Sequence, residues 1–341
     1  MHNINLGWRK LYKNNINRKI PLNIFSYISI LSVLLVILIA PSVDTMILTK
    51  SRSSEMIETI NKRFGNDWYY LSSYPNYSPS GLPDFDQRQD SWKTRIGIWT
   101  LCGPTALANV LWWFDSKYSN QNGTPGDGID IYPLVENYHV QGVLEPGPYS
   151  DDHNFNNVND LQTSWDRKTH HGELIEQIAW YVNTDKCRNL ILTKYGTSIH
   201  DMILGVKNWI KDAGLQDDFK VEVIFKPSFS MINERLRNNE GILLRFGKCI
   251  FDFKLSPTLF HHYVAVAGIN SDEYIAISDP GWDKTNPCSD SSVHNDAGIV
   301  SHDIYKVNFS SPFPLLSSWW IPDYAVYKGA LVISAIIISE N

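Results

Sequence analysis

Apolar positions along the chain fall into three patterns. Residues 22–40, LNIFSYISILSVLLVILIA, are apolar and carry no charge. Residues 106–114, ALANVLWWF, form a shorter run that is apolar at almost every position and is opened by Cys102-Gly103-Pro104-Thr105. Elsewhere apolar residues recur at helical or alternating spacing. A helix that is apolar all round has no face for water, so 106–114 reads as a buried helix. Pro104 suits its first turn, where the N–H that proline lacks is not needed. Cys102 is thereby placed at or beside the helix N-cap. A glutamine-bearing loop, Asp86-Gln87-Arg88-Gln89, lies just upstream.

Residues 53–64 carry Met56, Ile57, Ile60 and Phe64 at helical spacing, and predict a short amphipathic helix. Residues 65–81, rich in Tyr, Ser, Pro, Asn and Gly, read as a linker. Residues 115–172 are dense in Asp, Asn, Gly, Pro and His and predict a long irregular excursion, a lid or one wall of a groove. Helical periodicity returns at 173–182 and 199–213, the second closed by Gly214. A strand over Phe219–Phe225 and a short helix over 231–237 follow. Short segments rich in Val, Ile, Tyr and Phe then predict strands at 241–246, 263–269, Tyr274–Ser278, 304–309 and 330–339. The last, ALVISAIIIS, is too short to span a bilayer and too β-branched to favour helix, so it reads as a core strand. Helices first and antiparallel strands later define an α+β domain, spanning 82–341.

With 43% hydrophobic and 19% charged residues the composition is globular. The net charge of −6 includes five basic residues and no acid in residues 1–20, which leaves the rest at −11 (−6 less +5). An acidic body argues against nucleic acid as a partner. The same asymmetry orients residues 22–40. Nineteen apolar residues reach across a bilayer core, and the basic flank precedes them. The expected layout is a cytoplasmic tail (1–21), a membrane anchor (22–43), a juxtamembrane segment (44–81) and an extracytoplasmic domain. A cleaved signal peptide is the competing reading and leaves the domain outside as well. Three N-x-S/T sequons, at Asn76, Asn122 and Asn308, are compatible with surface loops there.

The four cysteines, Cys102, Cys187, Cys249 and Cys288, form no CxxC pair. That spacing gives no structural zinc site, and if Cys102 is a thiol at most one disulfide forms among the others. His153, His170 and His171 lack the i, i+4 spacing of a helical zinc site, and the nearby aspartates do not follow a calcium loop. No metal or cofactor is expected.

One arrangement supplies Cys102 with a partner. His261-His262 leads the strand YVAVAGI; the turn Asn270-Ser271-Asp272-Glu273, the strand YIAIS and Asp279-Pro280-Gly281 follow. A hairpin with that four-residue turn sets His262 opposite residue 281, within two positions of Asp279. A carboxylate there accepts the imidazole N–H and fixes its tautomer, leaving the other nitrogen for a nucleophile. Side chains alternate along a strand, so only one of His261 and His262 can point at a thiol. At a helix N-terminus, unpaired N–H groups and the helix dipole stabilise an anion. Cysteine, histidine and aspartate in that order form a coherent thiol triad.

Gln87 with Trp92, Cys102-Gly103-Pro104-Thr105-Ala106, His262-Tyr263-Val264-Ala265-Val266 and Asp279-Pro280 together resemble papain-like cysteine peptidases of the bacteriocin-processing, double-glycine-leader type, and the broader set of secreted relatives of that family. The resemblance covers residues 82–282 by motif. It implies a papain-like fold with the nucleophile at a helix N-terminus packed on an antiparallel sheet. It implies Cys102 as nucleophile, His262 as general base and then acid, and Asp279 as the residue that orients the histidine. It implies Gln87 as side-chain donor of the oxyanion hole, with Gln89 the alternative. Gln87 lies fifteen residues before the cysteine, a wider gap than such enzymes commonly show. The activity implied is hydrolysis of peptide bonds in a peptide or protein substrate. Acyl transfer, or cleavage of a non-peptide amide, would use the same residues. The contrasting expectation is a catalytically idle module whose aromatic-rich groove holds a peptide or cell-wall ligand.

Overall fold

The computed structural model describes residues 67–72, 81–85, 87, 97–118, 132, 134–135, 174–187, 195–248, 261–281, 303–324 and 329–341. The expected membrane segment, the helix at 53–64, Gln89, Trp92, Cys249, Cys288, two of the sequons and most of the 115–172 excursion lie outside these residues.

Helix α1, Cys102–Tyr118, is the apolar run of the sequence. Every residue from 102 to 116 is buried, as expected of a helix with no polar face. Its polar side chains find partners inside the protein. Thr105 Oγ1 donates to Leu101 O at 2.9 Å, Ser116 Oγ to Trp112 O at 2.7 Å, and Asp115 Oδ2 accepts from Val135 N at 2.8 Å. Trp112, Trp113 and Phe114 are fully buried, each contributing on the order of 2–3 kcal/mol relative to an exposed side chain. α1 packs on helix α2, Leu174–Tyr181, and on the sheet strands β3 and β4 defined below.

Helix α3 is Ile199–Asp212. Ser198 caps its start, its hydroxyl accepting from Asp201 N at 3.1 Å. Gly214, at φ +78°, ends it: Gly214 N donates to Lys211 O and Leu215 N to Ile210 O, both at 2.9 Å, a Schellman closure. Helix α4, Phe229–Arg237, starts two residues before its expected position because Ser228 caps it, accepting from Met231 N at 3.2 Å.

The strands are β1 Tyr69–Tyr70, β2 Phe219–Phe225, β3 Gly241–Lys248, β4 His261–Ile269, β5 Tyr274–Ser278, β6 Asp303–Lys306, β7 Trp320–Ile321 and β8 Ala330–Glu340. They form one antiparallel sheet in the order β2-β8-β3-β4-β5-β6, with β1 on β4 and β7 on β8. The described chain is thus an α+β domain. β8 lies between β2 and β3 and is buried on most of both faces, so its sequence is apolar at most positions instead of alternating. Two strands depart from expectation. Tyr69–Tyr70 falls inside the stretch read as linker, and Trp320–Ile321 has no strand-like run around it. Each is two residues long and forms only by pairing with an existing strand.

The β4–β5 hairpin also differs in detail. Near the turn the pairs are Ile269↔Ile275 and Gly268↔Ala276; beyond Ala267 they become Val266↔Ile277 and Ala265↔Ser278. The loop is three residues, 271–273, not four. Glu273 sits at φ +66° and Asn270 N bonds Tyr274 O at 3.1 Å. The shorter loop shifts the register by one, and the extra residue Ala267 shifts it back. The carbonyl of Ala267 turns out of the hairpin and accepts Leu71 N at 3.0 Å. The two offsets cancel, so the far end of the hairpin has the register a four-residue turn predicts.

Candidate active site

Cys102 is the first residue of α1 and is 9% exposed. Two contacts fix the approach to it. Thr100 Oγ1 donates to Asp185 Oδ2 at 2.9 Å, and Asp185 Oδ1 in turn accepts Gly196 N at 2.7 Å. Asn183, Asp185 and Lys186, around that anchor, all have positive φ. Gly103 lies against the start of α3. A Cβ there would stand 2.6 Å from Met202 Cε and 3.2 Å from Thr197 Oγ1. Glycine is what permits that approach.

His262 and Asp279 stand at matched ends of the hairpin. His262 Nε2 lies 2.7 Å from Asp279 Oδ1, with His262 4% and Asp279 1% exposed. The Cys102 sulfur also acts on the His262 imidazole, which puts the two side chains close together. With Nε2 on the aspartate, Nδ1 is the nitrogen left for the sulfur. His262, not His261, is the histidine so placed. Asp279 has two further donors: Gly281 N reaches Oδ1 at 3.0 Å, and the Tyr324 hydroxyl donates to Oδ2.

The electrostatics follow from this geometry. Burial alone would depress the His262 pKa. The charges of Asp279 and Cys102, with the hydrogen bond to Asp279, outweigh it and raise the imidazole well above its ordinary value. Burial alone would raise Asp279. The His262 charge and the bonds from His262, Tyr324 and Gly281 outweigh it and hold the carboxyl below the usual carboxylate range. The site favours an imidazolium beside a carboxylate.

A buried polar network ties this hairpin to α1. Asn109 Nδ2 donates to Ser278 Oγ at 2.8 Å, Asn109 Oδ1 accepts Phe85 N at 3.0 Å, and Ser278 Oγ donates to Asp84. Helix, hairpin end and the segment entering the glutamine loop are thereby locked together. Gln87 follows directly: its N–H bonds Pro280 O at 2.7 Å. Its side chain lies on Gly281, where a Cβ would meet Nε2 at 2.6 Å. The residue is 6% exposed, and Oε1 is buried with no hydrogen-bond partner.

The structure hydrogen-bonds His262 to Asp279, brings Cys102 within electrostatic reach of His262, and sets Gln87 on the backbone beside Asp279. Sequence reasoning missed Tyr324, Asp84, Asn109 and Ser278. Asn109, an amide inside an otherwise apolar run, was the one visible signal. Tyr324, 45 positions from Asp279, had none. Cys187 is a buried thiol with Sγ 3.9 Å from the carbonyl oxygens of Ala179 and Trp180. Among the described residues no cluster of His, Cys, Asp and Glu is arranged to hold a metal, and no helix is long and apolar enough to cross a membrane. No protein-family model matches this chain, and no curated protein matches it in sequence.

Proposed function

We propose that this chain is a cysteine peptidase of papain-like fold, acting outside the cytoplasmic membrane on peptide or protein substrates. The observation that carries the reading is His262, buried, bonded to Asp279 through Nε2 and within electrostatic reach of the Cys102 sulfur. Such a histidine takes the thiol proton, and Asp279 stabilises the resulting imidazolium. The thiolate of Cys102 attacks the amide carbonyl, forming the C–S bond and an oxyanion. The Cys102 backbone N–H and the Gln87 amide hold that oxyanion, each such donor worth roughly 3–4 kcal/mol in the transition state. His262 gives its proton to the amine as the C–N bond breaks. It then deprotonates the water that hydrolyses the thioester, and the sulfur is regenerated. The fully buried Asp279 stays ionised throughout because three donors face it. The location outside the membrane rests on residues 22–40 and their basic flank.

The test is alkylation of Cys102 by iodoacetamide across pH, joined to a peptide-library digest with the wild type and Cys102→Ala. Rapid alkylation near neutral pH that collapses in His262→Ala is expected, as is cleavage lost in Cys102→Ala. A Cys102 that reacts only above about pH 8, like an ordinary thiol, and ignores His262→Ala would sink the reading.

A further inference from the structure

Helix α1 covers one face of the sheet, and a row of polar residues crosses that face. Gly241 of β3 faces α1, since a Cβ there would stand 2.4 Å from Val110 Cγ1 and 2.9 Å from Phe114 Cε2. Side chains alternate along a strand, so Leu243 and Arg245 share that face with Gly241. Arg245 pairs with Tyr263 on β4 and with Ser334 on β8. Cross-strand partners project to the same side, so Ser334, Arg245 and Tyr263 form a row beneath the helix.

The polar atoms of this row have no partner. Tyr263 is 1% exposed and Ser334 is fully buried, yet Tyr263 Oη and Ser334 Oγ make no hydrogen bond, and Arg245 Nε is buried without one. Buried donors left empty in a native protein call for an explanation. The guanidinium and both hydroxyls are all hydrogen-bond donors. Three donors in a row, one of them a permanent cation, form a receptor for an anion. Arginine presents a planar fork that matches a carboxylate.

The row also comes level with Cys102, while the side chain of His262, one position from Tyr263, projects to the other face of β4. Asn109 reaches Ser278, which pairs with Ala265 and through it with Leu243. α1 therefore runs back toward its N-terminus as β3 runs forward from Gly241. Four strand residues advance about 13 Å, which on a helix is about nine residues. Counted back from Val110–Phe114, that brings Arg245 level with the first turn of α1, where Cys102 sits. The charges of Cys102 and Asp201 both act on the Tyr263 phenol, which agrees with this placement. Asp201 does not compete for the row, because Lys186, Ser198 and Asn183 already bind its carboxylate.

We propose that Ser334, Arg245 and Tyr263 form a carboxylate-binding subsite beside Cys102, so that the substrate carries an acidic group close to the carbonyl under attack. As a substrate assignment this rests on the cysteine-peptidase reading. The subsite selects and orients substrate; its residues take no part in bond making.

The experiment compares alkylation of Cys102 by iodoacetate and by iodoacetamide, which react by the same displacement of iodide and differ in a carboxylate. The ratio of the iodoacetate to the iodoacetamide rate is expected to fall about tenfold in Arg245→Gln, as befits loss of a charge-assisted contact. Arg245→Lys should keep part of that ratio. Tyr263→Phe removes a hydroxyl that bonds nothing, so the fold should survive, and it should lower the ratio severalfold; it decides the matter if Arg245→Gln does not fold. A ratio unchanged in the folded variants overturns the proposal. Two protectors against iodoacetamide separate the possible sources of the carboxylate. Acetyl-glutamic acid α-amide offers only a side-chain carboxylate, and acetyl-glutamine only a terminal one. Slower alkylation with either names the source, and slowing by neither overturns the proposal. Because the readout is a ratio, it holds even if the iodoacetamide rate is that of an ordinary thiol. The pH profile of that rate and the peptide digest judge the peptidase reading.

Discussion

Tyr324→Phe removes one hydroxyl from a fully buried site and leaves the ring in place. The ring packs edge-on to Phe246 with centroids 5.3 Å apart and beside Tyr305 at 5.5 Å, and phenylalanine keeps both contacts. What is lost is the hydrogen bond to Asp279 Oδ2. His262 and Gly281 both bond Oδ1, so Oδ2 is left buried with no donor. A hydrogen bond to a charged group contributes about 1.5–3 kcal/mol, and stranding a buried carboxylate oxygen puts the loss toward the upper end, about 2–3 kcal/mol. The sign with pH is fixed by Asp279. Its folded pKa is depressed below the ordinary 3.8, so the stability it contributes is present above that value and is lost as pH falls through the folded pKa. The deficit of Tyr324→Phe should therefore be full at neutral pH and shrink in acid. Urea denaturation of wild type and variant, at neutral pH and through the acid limb, measures both. A deficit under about 0.5 kcal/mol at neutral pH, the size of an ordinary surface change, would refute the reasoning. So would a deficit that grows as the pH falls.

Two further outcomes follow from the same geometry. Gly281→Ala places a Cβ 2.6 Å from Gln87 Nε2 and must displace the end of that flexible side chain. Turnover should fall by roughly a hundredfold, as for a lost oxyanion donor, with stability nearly unchanged; intact turnover in steady-state kinetics would remove Gln87 from that role. His262→Gln should cost about 3 kcal/mol, because a buried pair loses one partner. A raised folded pKa makes the histidine's contribution full below its ordinary 6.5 and lost as pH rises through the folded value. The margin of wild type over His262→Gln, followed by denaturation across pH, should then narrow in alkaline solution, and a widening margin contradicts the assigned ion pair.

Much of this architecture is legible in residue order. Helix α1 follows from Pro104 and the apolar run after it, and Phe219–Phe225 and Tyr274–Ser278 coincide with their expected strands. These are local matters, since periodicity, caps and turn residues act within a few positions. The meeting of His262 with Asp279 was legible for the same reason, as a hairpin of known parity carries its own register. The route differed, with a three-residue loop and the extra residue Ala267 cancelling each other. No local signal distinguishes that from a four-residue turn.

The partners of the site were decided elsewhere. Tyr324 lies 45 positions from Asp279, and Asn109 lies 169 positions from Ser278. The row Ser334–Arg245–Tyr263 exists only because β8, last in the chain, is inserted between β2 and β3. In sequence each of these residues is an ordinary polar interruption of an apolar strand or loop. By itself the sequence determined most of the helices and strands and singled out one thiol, one imidazole and one carboxylate as candidates to act together. The tertiary structure alone decided what holds those three groups in place and which donors stand beside them. Strand order and helix docking bring distant positions together to bury apolar surface, and the polar groups so enclosed must find partners there.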